Sequence, residues 1–162
     1  MLLVHACPPP LALDSIARGD PCYLAPMEAV VFVGVQGSGK STFFARHYAD
    51  THVRLNRDML RTGNREAVLM HACLAVGQAF VIDNTNPKRD TRARYVAAAK
   101  AAGFRTIVVV FSVPLELALA RNAAREAAAR VSEIAIRGTF AKLEAVTDDE
   151  GFDEVRTVTE AA

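Results

Sequence analysis

Ala29-Val30-Val31-Phe32-Val33-Gly34-Val35-Gln36-Gly37-Ser38-Gly39-Lys40-Ser41-Thr42 is the stretch on which the fold turns. It begins as an unbroken β-branched and aromatic run, the pattern of a strand buried on both faces of a parallel sheet. From Gly34 to Ser41 it matches G-x-x-x-x-G-K-[ST] in full, and the match sits between a strand and a helix, as its mechanism requires. Gly37, Ser38 and Gly39 let successive backbone N–H groups wrap a phosphate at a helix N-terminus. Lys40 reaches the β- and γ-oxygens, and Ser41, followed by Thr42, offers a hydroxyl to magnesium. The loop therefore predicts a nucleoside triphosphate, ATP in the simplest case, together with Mg2+.

Outward from this segment, further strands are expected at His52 to Leu55, Ala79 to Ile82, Thr106 to Phe111 and, more weakly, Glu154 to Val158. Helical stretches separate them. Pro87 after Asn86 marks one helix start, Pro114 another, the latter helix carrying Arg121 and Arg125, and Gly103 ends the alanine-rich run before it. The alternation is a βαβ series, so the expected architecture is α/β: a three-layer P-loop sandwich with a parallel sheet of four or five strands and a helical lid at about 114–138. Residues 28–162 make the P-loop domain and residues 1–27 an N-terminal extension with no assigned role.

Composition narrows the class. With 162 residues, one domain and one active site are expected. Apolar residues make up 51% of the chain, yet none of its runs reaches the roughly 20 uncharged residues of a membrane-spanning helix. A net charge of +1 gives no global nucleic-acid signature, but Lys and Arg gather between Lys40 and Lys142 while the end carries Asp148, Asp149, Glu150, Asp153 and Glu154. Cys7, Cys22 and Cys73 lack C-x-x-C spacing, so neither a disulfide framework nor a zinc site is expected. The opening to Pro26 lacks the regions of a signal peptide, and a cytoplasmic location follows as the expectation.

The remaining motifs choose among P-loop classes. The nearest thing to a guanine-reading N-K-x-D is Asn86-Pro87-Lys88-Arg89-Asp90, in the wrong order, and little chain follows for a motor ATPase, so a small kinase is favoured. Asn56-Arg57-Asp58-Met59-Leu60-Arg61 puts an acid and a base three residues apart at a strand's carboxyl end. Asp58 is the candidate general base for an acceptor hydroxyl, and Arg61 the candidate clamp on an acceptor phosphate. In Val81-Ile82-Asp83-Asn84-Thr85-Asn86, Asp83 holds a Walker B-like place, suited to magnesium-bound water or to the acceptor, while Asn84 and Thr85 offer neutral hydrogen bonds. Arg121, Arg125, Arg130 and Arg137 are candidates to converge on a lid, where a guanidinium over the γ-phosphate stabilises the charge of transfer.

From about Val30 to Val158 these segments together resemble the 5′-kinase domain of the polynucleotide kinase family, both the phage type and the kinase half of the animal kinase-phosphatases. The resemblance rests on the P-loop, Asn56-Arg57-Asp58, Ile82 to Pro87, Arg121-Asn122 with Arg125, Val131-Ser132 and Gly151-Phe152. It implies ATP-dependent phosphorylation of a nucleic-acid 5′-hydroxyl end. Asp58 would be the base, Lys40 and Ser41 the triphosphate and magnesium ligands, and Arg61, Asp83 and Thr85 the acceptor side. Arg125 would be the lid arginine, supported by Arg121. Gln36 stands where relatives often have proline, and no D-x-D phosphatase segment is present, so 3′-phosphate removal is not implied. A kinase for a small metabolite or nucleoside, and an ATP-dependent binding switch, remain open beside it.

Overall fold

A computed structural model describes residues 27–159, so residues 1–26 of the N-terminal extension, with the cysteines Cys7 and Cys22, lie outside the described residues. The strands are β1 (Glu28–Val33), β2 (Val53–Leu55), β3 (Phe80–Ile82), β4 (Arg105–Phe111) and β5 (Glu154–Val158). The helices are α1 (Lys40–His47), α2 (Arg57–Leu60), α3 (Gly63–Val76), α4 (Arg89–Ala101), α5 (Leu115–Ala123) and α6 (Glu133–Ala141). All strand pairs are parallel, and the five strands lie in the order β2-β3-β1-β4-β5. Each expected strand forms, and the architecture is the expected α/β fold.

β1 lies at the centre, which explains its continuous hydrophobicity. Ala29, Val31 and Val33 face one core with Leu55, Met70, Cys73, Phe80, Tyr95 and Ala99, where α3 and α4 pack. Val30 and Phe32 face the opposite core with Phe44 and Tyr48, on and just beyond α1. A strand that buries both faces has no position for a polar residue. A third cluster of Val35, Val113, Ala118 and Ile136 seats α5 and α6 beside the P-loop. The chain crosses over between β3 and β4, so the strand order reverses beside β1, and a crevice opens there at the carboxyl ends of the strands. No described helix is long and apolar enough to cross a membrane.

Two helix boundaries differ from the sequence expectation. Asn86 and Pro87 do not start a helix: α4 begins at Arg89. Asn86 has φ 41 and its buried amide donates to the Phe32 carbonyl at 2.8 Å, so its side chain holds the strand end rather than capping a helix. A left-handed backbone cannot continue into a right-handed turn, and asparagine is among the few residues that tolerate it. At the other boundary α5 ends at Ala123, so Arg125 lies in the turn beyond it rather than one helical turn after Arg121.

Candidate functional site

The crevice contains a cavity of about 310 Å³ lined by the P-loop residues Gly37, Gly39, Lys40, Ser41 and Thr42 and, across from them, by Arg57, Asp58, Asp83, Thr85 and Arg125. Two of the loop's backbone features depend on glycine. Gly37 has φ 82, and a Cβ there would lie 2.4 Å from the Ala118 carbonyl oxygen; Gly39 caps α1 at φ 97. The loop is tied to the segment after β3 by the Gly34 N–H donating to the Thr85 carbonyl at 3.1 Å. Ser38 is wholly buried beneath the loop.

Lys40 is folded onto its own loop, its ammonium donating to the carbonyls of Gly34 at 2.9 Å and Val35 at 2.7 Å. Burial pushes its pKa from 10.5 down to about 8, against the attraction of Asp83 and Asp58 and with the help of Arg125. Between pH about 8 and 10.5 the unfolded chain keeps a proton that the folded chain has lost, so stability rises with pH across that window. Phosphates beside Lys40 restore the proton by favouring the charged form. Binding of a nucleoside triphosphate at pH 9 is therefore expected to take up about one proton, read by calorimetry in two buffers of different ionisation heat. Lys40→Met should abolish the uptake; uptake unchanged in that variant contradicts the assignment.

Asp58 stands in the first turn of the short helix α2, and its position is fixed from both sides. The Asn56 side chain accepts from the Met59 N–H at 3.0 Å and donates to the Asp83 carbonyl at 2.6 Å, while the Arg57 N–H donates to Asn84 Oδ1 at 2.9 Å. Beneath this turn, Glu66 is buried and accepts from Arg57 at 3.0 Å, from Tyr95 at 2.7 Å and from Asn84. Burial, with the bond to Glu66, pushes the Tyr95 hydroxyl up to about 12, so it stays a donor. A buried carboxylate needs such a set of donors, and here they lock the strand end that carries Asp58 to the strand end that carries Asp83.

Asp83 is buried, and its carboxylate accepts from Arg54 on β2, whose Nε lies 2.8 Å from Oδ2 and whose Nη2 also reaches it. Nη2 reaches Ser41 Oγ at 2.8 Å as well. Hydroxyl and carboxylate oxygens thus converge on one cation, and hard oxygens of this kind suit magnesium. Among the described residues no group of three or more His, Cys, Asp or Glu could hold a metal by itself.

Between α5 and α6, the Asn122 side chain donates to the Val131 carbonyl at 2.7 Å and accepts from its N–H at 3.0 Å, a two-bond clamp that closes the turn carrying Arg125. Arg130 Nε donates to the Arg125 carbonyl at 2.7 Å. Arg125 faces the cavity; Arg121, Arg130 and Arg137 are not on its wall, and Arg137 pairs instead with Glu133 on the exposed face of α6. The four arginines do not converge. Arg61 is also off the wall, exposed at the left-handed end of α2 with φ 71, because the four-residue helix stops before it. Arg57, overlooked in the sequence, takes the wall position beside Asp58. Arg54 was overlooked too; the only sequence signal for it is a charged residue in a strand that enters the site.

The cavity is a P-loop nucleotide site on a kinase fold. Residues 30–148 match the AAA domain family. A bifunctional polynucleotide phosphatase/kinase of Schizosaccharomyces pombe is 29% identical over 135 residues, 81% of this chain and 33% of that protein. A protein of Acanthamoeba polyphaga mimivirus with the same two activities in its name is 31% identical over 140 residues, 82% of this chain and 33% of its own length. The chain thus spans about a third of the length of the curated relatives it matches. Among solved structures, a sugar kinase from Janibacter sp. superposes with a TM-score of 0.64 at 20% identity, covering 83% of this chain and 86% of that one. The PezAT toxin–antitoxin system of Streptococcus pneumoniae gives 0.67 at 17% identity, covering 91% and 72%.

Proposed function

The chain belongs to the AAA domain family, and from that premise we propose that it is an ATP-dependent kinase acting on the 5′-hydroxyl of a polynucleotide. The single observation that carries the reading is that Asp58 shares a cavity with the P-loop lysine Lys40 and with Arg125. A positioned carboxylate opposite a seated triphosphate is what hydroxyl phosphorylation needs and what a binding switch does not. The bifunctional names of the two curated relatives support a polynucleotide as acceptor.

In this mechanism the acceptor oxygen bonds to the γ-phosphorus as the bond from that phosphorus to the β–γ bridging oxygen breaks, and ADP leaves. Asp58 takes the hydroxyl proton. Lys40 leaves the Gly34 and Val35 carbonyls for the phosphate oxygens, and the Arg125 guanidinium offsets charge that builds on the transferring group. Magnesium, when bound, would offset charge on the β- and γ-oxygens, with Ser41 and the Asp83 carboxylate as the residues suited to hold it. Thr42, Asp83 and Thr85 also line the cavity, and we assign Thr42 to the donor and Asp83 and Thr85 to the acceptor. Residues 1–27 stay outside this scheme, and the turn between α5 and α6 serves as its lid.

The phosphate nearest the accepted hydroxyl is assigned to Arg57 rather than to Arg61, since Arg57 is on the wall and half-exposed while it pairs with Glu66. The test supplies γ-labelled ATP with 5′-hydroxyl DNA, 5′-hydroxyl RNA, 3′-nucleotides, and phosphate-free nucleosides and sugars in parallel. Label is expected on the oligonucleotides, and labelling confined to phosphate-free acceptors overturns the proposal. Arg57→Ala is expected to raise KM for phosphate-bearing acceptors roughly tenfold or more, the loss of one charge-assisted contact, with the KM for ATP little changed.

A further inference from the structure

The Arg54 guanidinium spans the oxygens of Ser41 and Asp83, the two side chains best suited to the divalent cation of a P-loop site. Asp83 is 1% exposed and would be a buried, unpaired carboxylate without it, an arrangement that is strongly unfavourable. Arg54 itself is 31% exposed, and its guanidinium carbon lies 5.2 Å from the centroid of the Phe44 ring. The acid is thus fixed in place, whereas the base has a path toward solvent, and the Phe44 ring helps to hold it over the two oxygens until it leaves. A divalent ion bound to Ser41 Oγ would stand within hydrogen-bonding range of a second cation, and a half-enclosed cavity screens that approach poorly.

We propose that Arg54 is a place-holder for the divalent cation: it neutralises Asp83 and occupies Ser41 in the nucleotide-free protein, and it must turn away toward solvent before the metal–nucleotide complex seats. Lys40 is held in a comparable way, folded onto the Gly34 and Val35 carbonyls that it must leave for the phosphates. The competent state is then only a fraction of the free population, and the apparent affinity for the metal is reduced by that fraction.

This inference rests on reading the cavity as a magnesium–nucleotide site and is independent of the acceptor. Binding of a fluorescent ADP analogue is titrated with Mg2+ in the full chain and in Arg54→Gln. The Mg2+ midpoint is expected to fall on the order of tenfold in the variant, the factor by which a one-tenth competent fraction weakens binding. Without nucleotide, Mg2+ should raise the melting temperature of Arg54→Gln above its value in EDTA and leave the natural protein unmoved. A midpoint that is unchanged or higher overturns the place-holder role, since an arginine that merely positions Asp83 in the loaded site would weaken the metal when removed. If Arg54→Gln does not fold, Arg54→Lys, which keeps a cation but loses the fork, is measured instead, and its midpoint should fall below that of the natural protein. Analogue binding indifferent to Mg2+ in both proteins would instead remove magnesium from the proposed function.

Discussion

Replacing Asp58 by asparagine is expected to lower phosphoryl transfer by about 10²- to 10⁴-fold while nucleotide binding survives, the effect of losing a positioned general base. That range is about 2.7 to 5.5 kcal/mol of transition-state stabilisation. Asparagine keeps the shape and the hydrogen-bonding reach of the side chain but cannot accept the proton. Asp58 is exposed, and the turn that carries it is held by Asn56, Arg57 and Asn84 rather than by its own carboxylate, so the fold should not register the change. Its charge does act on Lys40, whose pKa it raises, and the variant's Lys40 should therefore lose its proton at a lower pH than before. Rates compared at pH 7 keep that second effect small. Transfer to 5′-hydroxyl DNA within tenfold of the natural protein would remove Asp58 from the chemistry.

Sequence alone reached the parts of the site that are local in the chain. The P-loop is a run of consecutive residues whose fixed positions each have a backbone reason, and β1 declares its central place because neither face admits a polar residue. What sequence did not reveal is cross-chain pairing. Arg54 meets Asp83 across 29 residues, and Glu66 gathers Arg57, Asn84 and Tyr95 from three separate segments. Spacing rules describe neighbours on one helix, and they do not hold for Arg61 or Arg125, each of which lies just past a helix end. One local signal was present: Arg92, Tyr95, Val96 and Ala99 form the buried stripe of α4, and Glu66, Met70 and Cys73 that of α3. A charged residue on an apolar stripe marks a buried pair or network before its partner is known.

Arg92 is the clearest instance, and its removal carries the largest expected loss of stability. The side chain is fully buried, and its donors are all engaged: Nε and Nη2 with the two oxygens of Glu150, Nη1 with the carbonyls of Asn86, Pro87 and Glu144, and Nη2 also with that of Ala145. One guanidinium therefore ties the segment after β3, the chain after α6 and the turn before β5 into a single body. Arg92→Met leaves the Glu150 carboxylate, itself 1% exposed, without its cation and strands several carbonyls. Breaking a buried pair in this way costs about 3 to 5 kcal/mol, which for a domain of this size is roughly a 10 °C fall in melting temperature. Adding Glu150→Met should recover part of the loss, because the larger share of the penalty is the uncompensated charge and not the missing attraction. A double variant no more stable than Arg92→Met would mean that the carbonyls, rather than Glu150, dominate. Asn86 sets the strand end beside the P-loop, and Arg92 holds the Asn86 carbonyl at 3.2 Å, so the single variant should also weaken nucleotide binding at temperatures where it remains folded.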